Sequence, residues 1–194
     1  QYNVLDTVRE IKRKELGLQE KDFALISMGD LIKRKNYAIA IEVVSKINNP
    51  KVHYFICGKG PEEVNLRELT KKFGVEKQVH FLGYRSDIKE LLTAADAFLF
   101  TSRQEGLARS LMEAMASGLP CVVSKIRGNT ELIDDNINGF LCTNVDEYVA
   151  SITKLIQSPE CAELFVQRSL DNLNNFSIER VEECIVNIYS QEFK

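Results

Sequence analysis

Short apolar, β-rich runs recur along the chain, and each is followed by a stretch whose apolar positions fall at helical spacing. Residues 23–28 precede 36–47, residues 52–57 precede 61–73, and residues 79–82 precede 86–94. The pattern continues with 97–100 before a helix over 108–117, 121–124 before a short helix near 130, and a last run at 139–142. Alternating periods of two and 3.6 predict βαβα order and a parallel sheet of about six strands. Ala97-Phe98-Leu99-Phe100 shows no apolar/polar alternation, as expected of strands covered by helices on both faces. The fold class is therefore α/β, a doubly wound Rossmann-like sheet.

After residue 145 the strand signal stops. Helices are predicted over 145–157, 160–173 and 177–191, the last introduced by Ser177 with Glu179 and Glu182 nearby. At the other end a helix over 6–16 stops at Gly17, a residue suited to the left-handed C-cap. Pro50, Pro61, Pro120 and Pro159 all fall at or near element boundaries, and no Gly/Ser linker or repeat intervenes. At 194 residues this reads as a single domain, 1–194, with residues 1–20 as a lead-in helix. The opening Gln1-Tyr2-Asn3, without an initiator methionine, suggests a piece of something longer.

Charge narrows the function. The 25 Lys and Arg residues are scattered among 28 Asp and Glu, for a formal charge of -3, so nothing points to nucleic acid. The five cysteines, at 57, 121, 142, 161 and 184, form no CxxC pair, and only His53 and His80 accompany them. That argues against a zinc site and for thiols acting as small buried hydrophobes in a reducing cytoplasm. Apolar stretches fall far short of the roughly 20 residues that cross a bilayer.

In an open parallel sheet, ligands bind beyond the C-terminal ends of the strands. The loops there read Gly29-Asp-Leu-Ile-Lys-Arg-Lys35-Asn36, Gly58-Lys-Gly60-Pro61 and Gly83-Tyr84-Arg85. Glycine admits close backbone approach, and a following helix start offers free amides to an anion, so phosphate is the natural guest. The plainer reading is that Gly29, Gly58 and Gly83 only make tight turns. Gly58-Lys-Gly60-Pro61-Glu62-Glu63 lacks the third glycine of a dinucleotide fingerprint and would set Glu63 against a pyrophosphate, which disfavours a nicotinamide cofactor.

The loop after Phe100 carries most chemistry: Glu105-Gly-Leu-Ala-Arg-Ser-Leu-Met-Glu113, running into Ala-Met-Ala-Ser-Gly118-Leu-Pro120. On one continuous helix the two glutamates would differ by about 80° and about 12 Å. The expected geometry instead puts Glu105 in the loop and Glu113 one turn inside the helix, with the amides of Gly106 to Leu111 opening on the crevice. Carboxylates beside an anion would repel it, so they suit neutral hydroxyls at the two ends of a longer ligand. Hydroxyl, diphosphate, hydroxyl describes a nucleotide sugar. A bland alternative makes Glu105 a helix-start acid and Glu113 a solvated residue. It leaves unexplained why Glu113 sits among Leu111, Met112, Ala114, Met115 and Ala116, a helix expected to be well covered.

These residues resemble the E-x7-E signature of the C-terminal domain of GT-B-fold glycosyltransferases, family 4. The likeness extends over nearly the whole chain through Phe81-Leu-Gly-Tyr-Arg-Ser-Asp-Ile88, Ala114 to Pro120 and Arg127-Gly-Asn-Thr-Glu131. It is greatest to bacterial enzymes of exopolysaccharide and capsule synthesis. The resemblance implies a retaining glycosyltransferase whose donor, by default a UDP-sugar, is held without cofactor or metal. Lys35 would take donor phosphate, Glu105 the sugar hydroxyls and Glu113 the ribose; Lys35 and Glu105 would be the catalytic pair. Gly106, Leu107, Ala108, Arg109, Ser110 and Leu111 would cradle the diphosphate beside Gly29 and Gly58, and Tyr84 and Arg85 would line the base pocket.

It further implies a saccharide or lipid-linked acceptor carried by an N-terminal domain, with the 175–194 helix packing against that domain. The whole enzyme would be cytoplasmic, at the inner face of the membrane by peripheral association. Asp30 departs from the pattern, since many relatives place arginine there against the phosphate; Arg34 or Arg109 is the candidate substitute. Two other readings remain open: a nucleotide-binding module inactive in isolation, and a GT-B-fold nucleotide-sugar epimerase. A phosphorylase would need a pyridoxal lysine site that the sequence does not display.

Overall fold

The computed structural model describes residues 4–173. Strands β1 (Phe23–Met28), β2 (Val52–Cys57), β3 (Val79–Gly83), β4 (Ala97–Phe100), β5 (Cys121–Ser124) and β6 (Phe140–Cys142) form one sheet in the order β3-β2-β1-β4-β5-β6, every pair parallel. Helices α1 (Val4–Glu15), α2 (Tyr37–Ile47), α3 (Glu63–Phe73), α4 (Ile88–Ala94), α5 (Arg109–Ala116), α6 (Arg127–Thr130), α7 (Val145–Gln157) and α8 (Pro159–Leu173) complete the alternation. The expected doubly wound sheet is present, with boundaries within two residues of the sequence reading. The helix expected over 177–191, and Cys184 with it, lie outside the described residues.

Both faces are covered. Leu25 of β1 belongs to the core shared with Ile41, Val44, Tyr148 and Phe165, whereas Ala24, Ile26 and Met28 join that of Leu91, Phe98 and Leu111. That is why the strands read as unbroken apolar runs. Cys57, Cys121 and Cys142 are buried free thiols, and burial pushes Cys57 and Cys142 up to about 12.

Helix α1 closes with a Schellman turn: Gly17, at φ 75°, donates to Lys14 O, and Leu18 N reaches Arg13 O at 2.9 Å. Helix α1 is tied to the domain. Arg9 and Arg13 both pair with Asp96, whose Oδ2 also accepts from Ala24 N at 2.7 Å. The order of strands reverses between β1 and β4, and the crevice at that switch point positions the site.

Candidate functional site

The loops leaving β1 and β4 are neighbours because their strands are. The first turns through a short 3-10 segment, Lys33–Lys35, that sequence periodicity did not predict, and Asn36 ends it at φ 54°. Asparagine tolerates that left-handed angle better than most residues, and it lets the chain enter α2 at once. Thr101 Oγ1 donates to Lys35 O at 3.2 Å and to Asn36 O at 3.0 Å, fastening this turn to the end of β4.

Lys35 is thereby aimed inward. Its side chain is 12% exposed, its Nζ stands 2.9 Å from Glu105 Oε1, and it lies 4.8 Å from the centre of the Phe100 ring. Glu105 Oε2 pairs with Arg34 Nη1 at 2.9 Å. Burial alone would raise the Glu105 pKa, but contacts from Lys35, Ser102 and Arg34 outweigh it and hold the carboxyl below its ordinary value. The sequence reading assigned Lys35 to a phosphate and Glu105 to hydroxyls; the structure pairs them with each other.

This pairing is incomplete. Glu105 Oε1 is buried with Lys35 Nζ 2.9 Å away but off hydrogen-bond alignment, and Ser102 Oγ and Asn129 Oδ1 are likewise buried without an aligned partner. Ser102 and Glu105 lie in the loop after β4, and Asn129 lies in α6, which follows β5. Asn129 Nδ2 donates to Ser124 O at 2.8 Å, Ser124 Oγ donates to Ser102 O at 2.6 Å, and Gly128 lies against the carbonyls of Glu105 and Gly106. Buried polar atoms are normally fully bonded, so three with bonding capacity to spare in one crevice suit an additional partner. Ser102 and Asn129 were not singled out from sequence, although Asn129 stands inside the Arg127–Glu131 segment that carried the resemblance.

Helix α5 opens on the same crevice. Its N-cap residue, Ala108, supplies no side-chain cap, and among the described residues no carbonyl accepts from the amides of Arg109 or Ser110. Leu111 N is spent on Ala108 O at 3.0 Å, so the cradle expected over 106–111 is shorter by that amide. Gly106 adopts no left-handed angle, and a Cβ there would meet nothing within 4 Å. Its value is open space rather than unusual backbone.

Glu113 corrects an argument from sequence. It does stand one turn inside α5, but it is exposed together with Arg109 and Ala116, while Leu111, Ala114 and Met115 are buried. At 100° per residue the apolar neighbours in sequence lie on the opposite face, so burial gives no reason to assign Glu113 a ligand.

Among the glycines, Gly58 serves its neighbour loop. Its Cβ would fall 2.0 Å from Gly29 O, and Gly58 N donates to Gly83 O at 2.7 Å. Gly29 lies under Lys35, whose Cε is 3.1 Å from where a Cβ would be. Tyr84 is 79% exposed at the crevice rim. Arg85 is engaged on the α1 side, with Nε on Asp87 Oδ1 at 2.7 Å and Nη2 on Glu15 Oε1 at 2.8 Å. Among the described residues no three His, Cys, Asp or Glu side chains converge, and no helix is long and apolar enough to cross a membrane.

Known proteins are similar to this chain in sequence and fold. The family model for glycosyl transferases group 1 matches residues 8–170. A putative glycosyltransferase, EpsD of Bacillus subtilis, is 32% identical over 182 residues, 92% of this chain and 48% of that protein. The UDP-Gal:alpha-D-GlcNAc-diphosphoundecaprenol alpha-1,3-galactosyltransferase of Escherichia coli is 29% identical over 93% of this chain and 48% of its own length. The chain thus spans about half the length of these curated relatives. Among solved structures, Anabaena HepE in complex with UDP superposes with a TM-score of 0.88 at 25% identity, covering 95% of this chain and 53% of that one. The same protein has been solved with UDP-glucose.

Proposed function

Since the chain belongs to the glycosyl transferases of group 1, we propose that it is the donor half of a retaining, metal-independent GT-B enzyme that takes a UDP-sugar. The observation that carries this is the buried Oε1 of Glu105, paired with Lys35 but without an aligned hydrogen bond, at the switch point. A sugar hydroxyl completes the carboxylate's hydrogen bonding, while the diphosphate draws Lys35 and the uncapped start of α5. Glu113, exposed one turn further along, reaches the ribose, and the exposed ring of Tyr84 meets the base.

Transfer forms a bond between the acceptor oxygen and the anomeric carbon and breaks that carbon's bond to the diphosphate. The diphosphate leaves with the electron pair and takes up the acceptor's proton. Lys35 and the α5 amides stabilise the developing charge, the task a metal performs elsewhere. The acceptor, a saccharide or lipid-linked saccharide of surface polysaccharide synthesis, is presented by the other half of the enzyme. The undecaprenol-linked acceptor of the Escherichia coli relative supports that class.

Calorimetric titration of this chain with UDP, GDP and ADP, with and without magnesium, tests the reading. Saturation by UDP at about 1 mM or tighter, roughly 4 kcal/mol, insensitive to magnesium and weakened by Glu113→Ala, is the expected result. Preference for a different nucleotide, or a magnesium requirement, would replace the corresponding part of the proposal.

A further inference from the structure

Arg34 is the obvious substitute for a phosphate-binding arginine displaced by Asp30, and the structure gives it other work. Its Nη1 donates to Gln104 O at 2.6 Å and pairs with Glu105 Oε2 at 2.9 Å, while its own carbonyl accepts from Arg103 N at 2.9 Å. Three contacts thus run from one residue to three consecutive positions of the β4–α5 loop. The side chain is 43% exposed, against 9% for that of Glu105. One partly exposed guanidinium thus bonds both the loop backbone and the buried carboxylate.

We propose that Arg34 is a positioning residue for Glu105, setting the carboxylate toward the transferred sugar and holding its charge when the donor's diphosphate draws Lys35 away. This rests on the donor-site reading above. The division of labour follows from the two oxygens. Oε2 is occupied by Arg34, leaving Oε1, now beside Lys35 Nζ, as the one that a hydroxyl can reach once Lys35 turns to phosphate. Without Arg34 the buried carboxylate would face that exchange with no cation, a costly state that favours its reorientation to solvent or its protonation. The consequence is a cost that falls on the sugar and spares the nucleotide.

The test compares UDP with UDP-glucose, UDP-galactose and UDP-N-acetylglucosamine by calorimetry on wild type, Arg34→Ala and Arg34→Lys, with thermal melts alongside. Arg34→Ala is expected to bind UDP within about threefold of wild type while losing about tenfold of the affinity that the preferred sugar adds. Arg34→Lys, which keeps a cation but not the fork, should recover part of that increment. Loss of UDP binding itself in Arg34→Ala would make Arg34 a phosphate ligand and overturn the proposal. Equal weakening of UDP and its sugar conjugates with a lowered melting temperature would make it a structural clasp and also overturn it. A wild type that binds UDP but gains nothing from any of these sugars overturns this inference alone, whereas one that binds no UDP removes the donor site with it.

Discussion

Lys35 Nζ and Glu105 Oε1 face each other at 2.9 Å across the junction of β1 and β4, so the residue expected to hold the donor's phosphate and the one expected to hold its sugar hydroxyls pair with each other. Glu105 is then a competitor of phosphate for the ammonium. Glu105→Gln keeps the shape and removes the competition. It should bind plain UDP at least as tightly as wild type, while binding UDP-sugars less well. Lys35→Ala should lose about tenfold or more in UDP affinity, the cost of one charge-assisted contact. Titrations of both variants check the pair, and a Lys35→Ala protein with unchanged UDP affinity would take Lys35 out of the phosphate site.

The glycines separate structural from ligand-facing roles. At Gly58 a Cβ would strike Gly29 O at 2.0 Å on a backbone at φ 147°, so Gly58→Ala should cost about 3 kcal/mol or more in urea unfolding. Gly106→Ala meets nothing and should lie within about 0.5 kcal/mol of wild type. Its methyl group projects into the space proposed for diphosphate, so UDP binding should weaken all the same. A Gly106→Ala protein that binds UDP normally would move the diphosphate elsewhere.

What could be read from sequence divides along physical lines. Strand and helix order were legible because two-sided burial writes itself as apolar runs such as Ala97 to Phe100, and because Pro and Gly punctuate the ends. Glu105 was legible as a loop acid at a strand tip. Its partners were not: Arg34 meets it only because β1 and β4 are adjacent in space, and linear order carries no such information. Glu113 misled for the opposite reason. Its sequence neighbours are apolar, but helical rotation sends them to the other face. Asn129 and Ser102 were missed because an orphaned acceptor is a property of the folded surroundings, not of a residue type.

Acid should weaken the fold through His80 before it reaches the carboxylates. Burial, reinforced by His53 whose Nδ1 lies 3.1 Å from His80 Nε2, lowers His80 from 6.5 to about 4. The unfolded chain therefore binds more protons over that range, and stability present above pH 6.5 is lost as pH falls toward 4. A fall of this size is worth at most about 3 kcal/mol, and solvent screening at the half-buried ring brings it to roughly 1 to 2. His80→Phe keeps the stacking on Phe55, at 4.7 Å between centroids, and has no proton to gain. Melting temperatures from pH 7 to 4 should drop for wild type and stay flatter for the variant. Parallel curves would place the acid sensitivity in another group.

The edge of the sheet at β6 is guarded by carboxylates. Among the described residues only β5 pairs with this strand, and Leu141 and Thr143 turn their amides away from it. Leu141 N donates to Asp135 Oδ1 at 2.9 Å and Thr143 N to Glu147 Oε2 at 2.6 Å, so each outward donor is already taken by a charged group. An open row of amides on a short apolar strand is a template for a second chain, and charge at the edge is one way proteins blunt it. Asp135→Ala uncovers Leu141 N, whereas Asp135→Asn keeps an oxygen that can accept from it. Concentration-dependent light scattering should therefore rise for the alanine variant and stay near wild type for asparagine. If both variants associate equally, the repelling charge rather than the capped amide keeps the edge apart, and if neither does, residues 140–142 are too few to recruit a partner strand whether capped or bare.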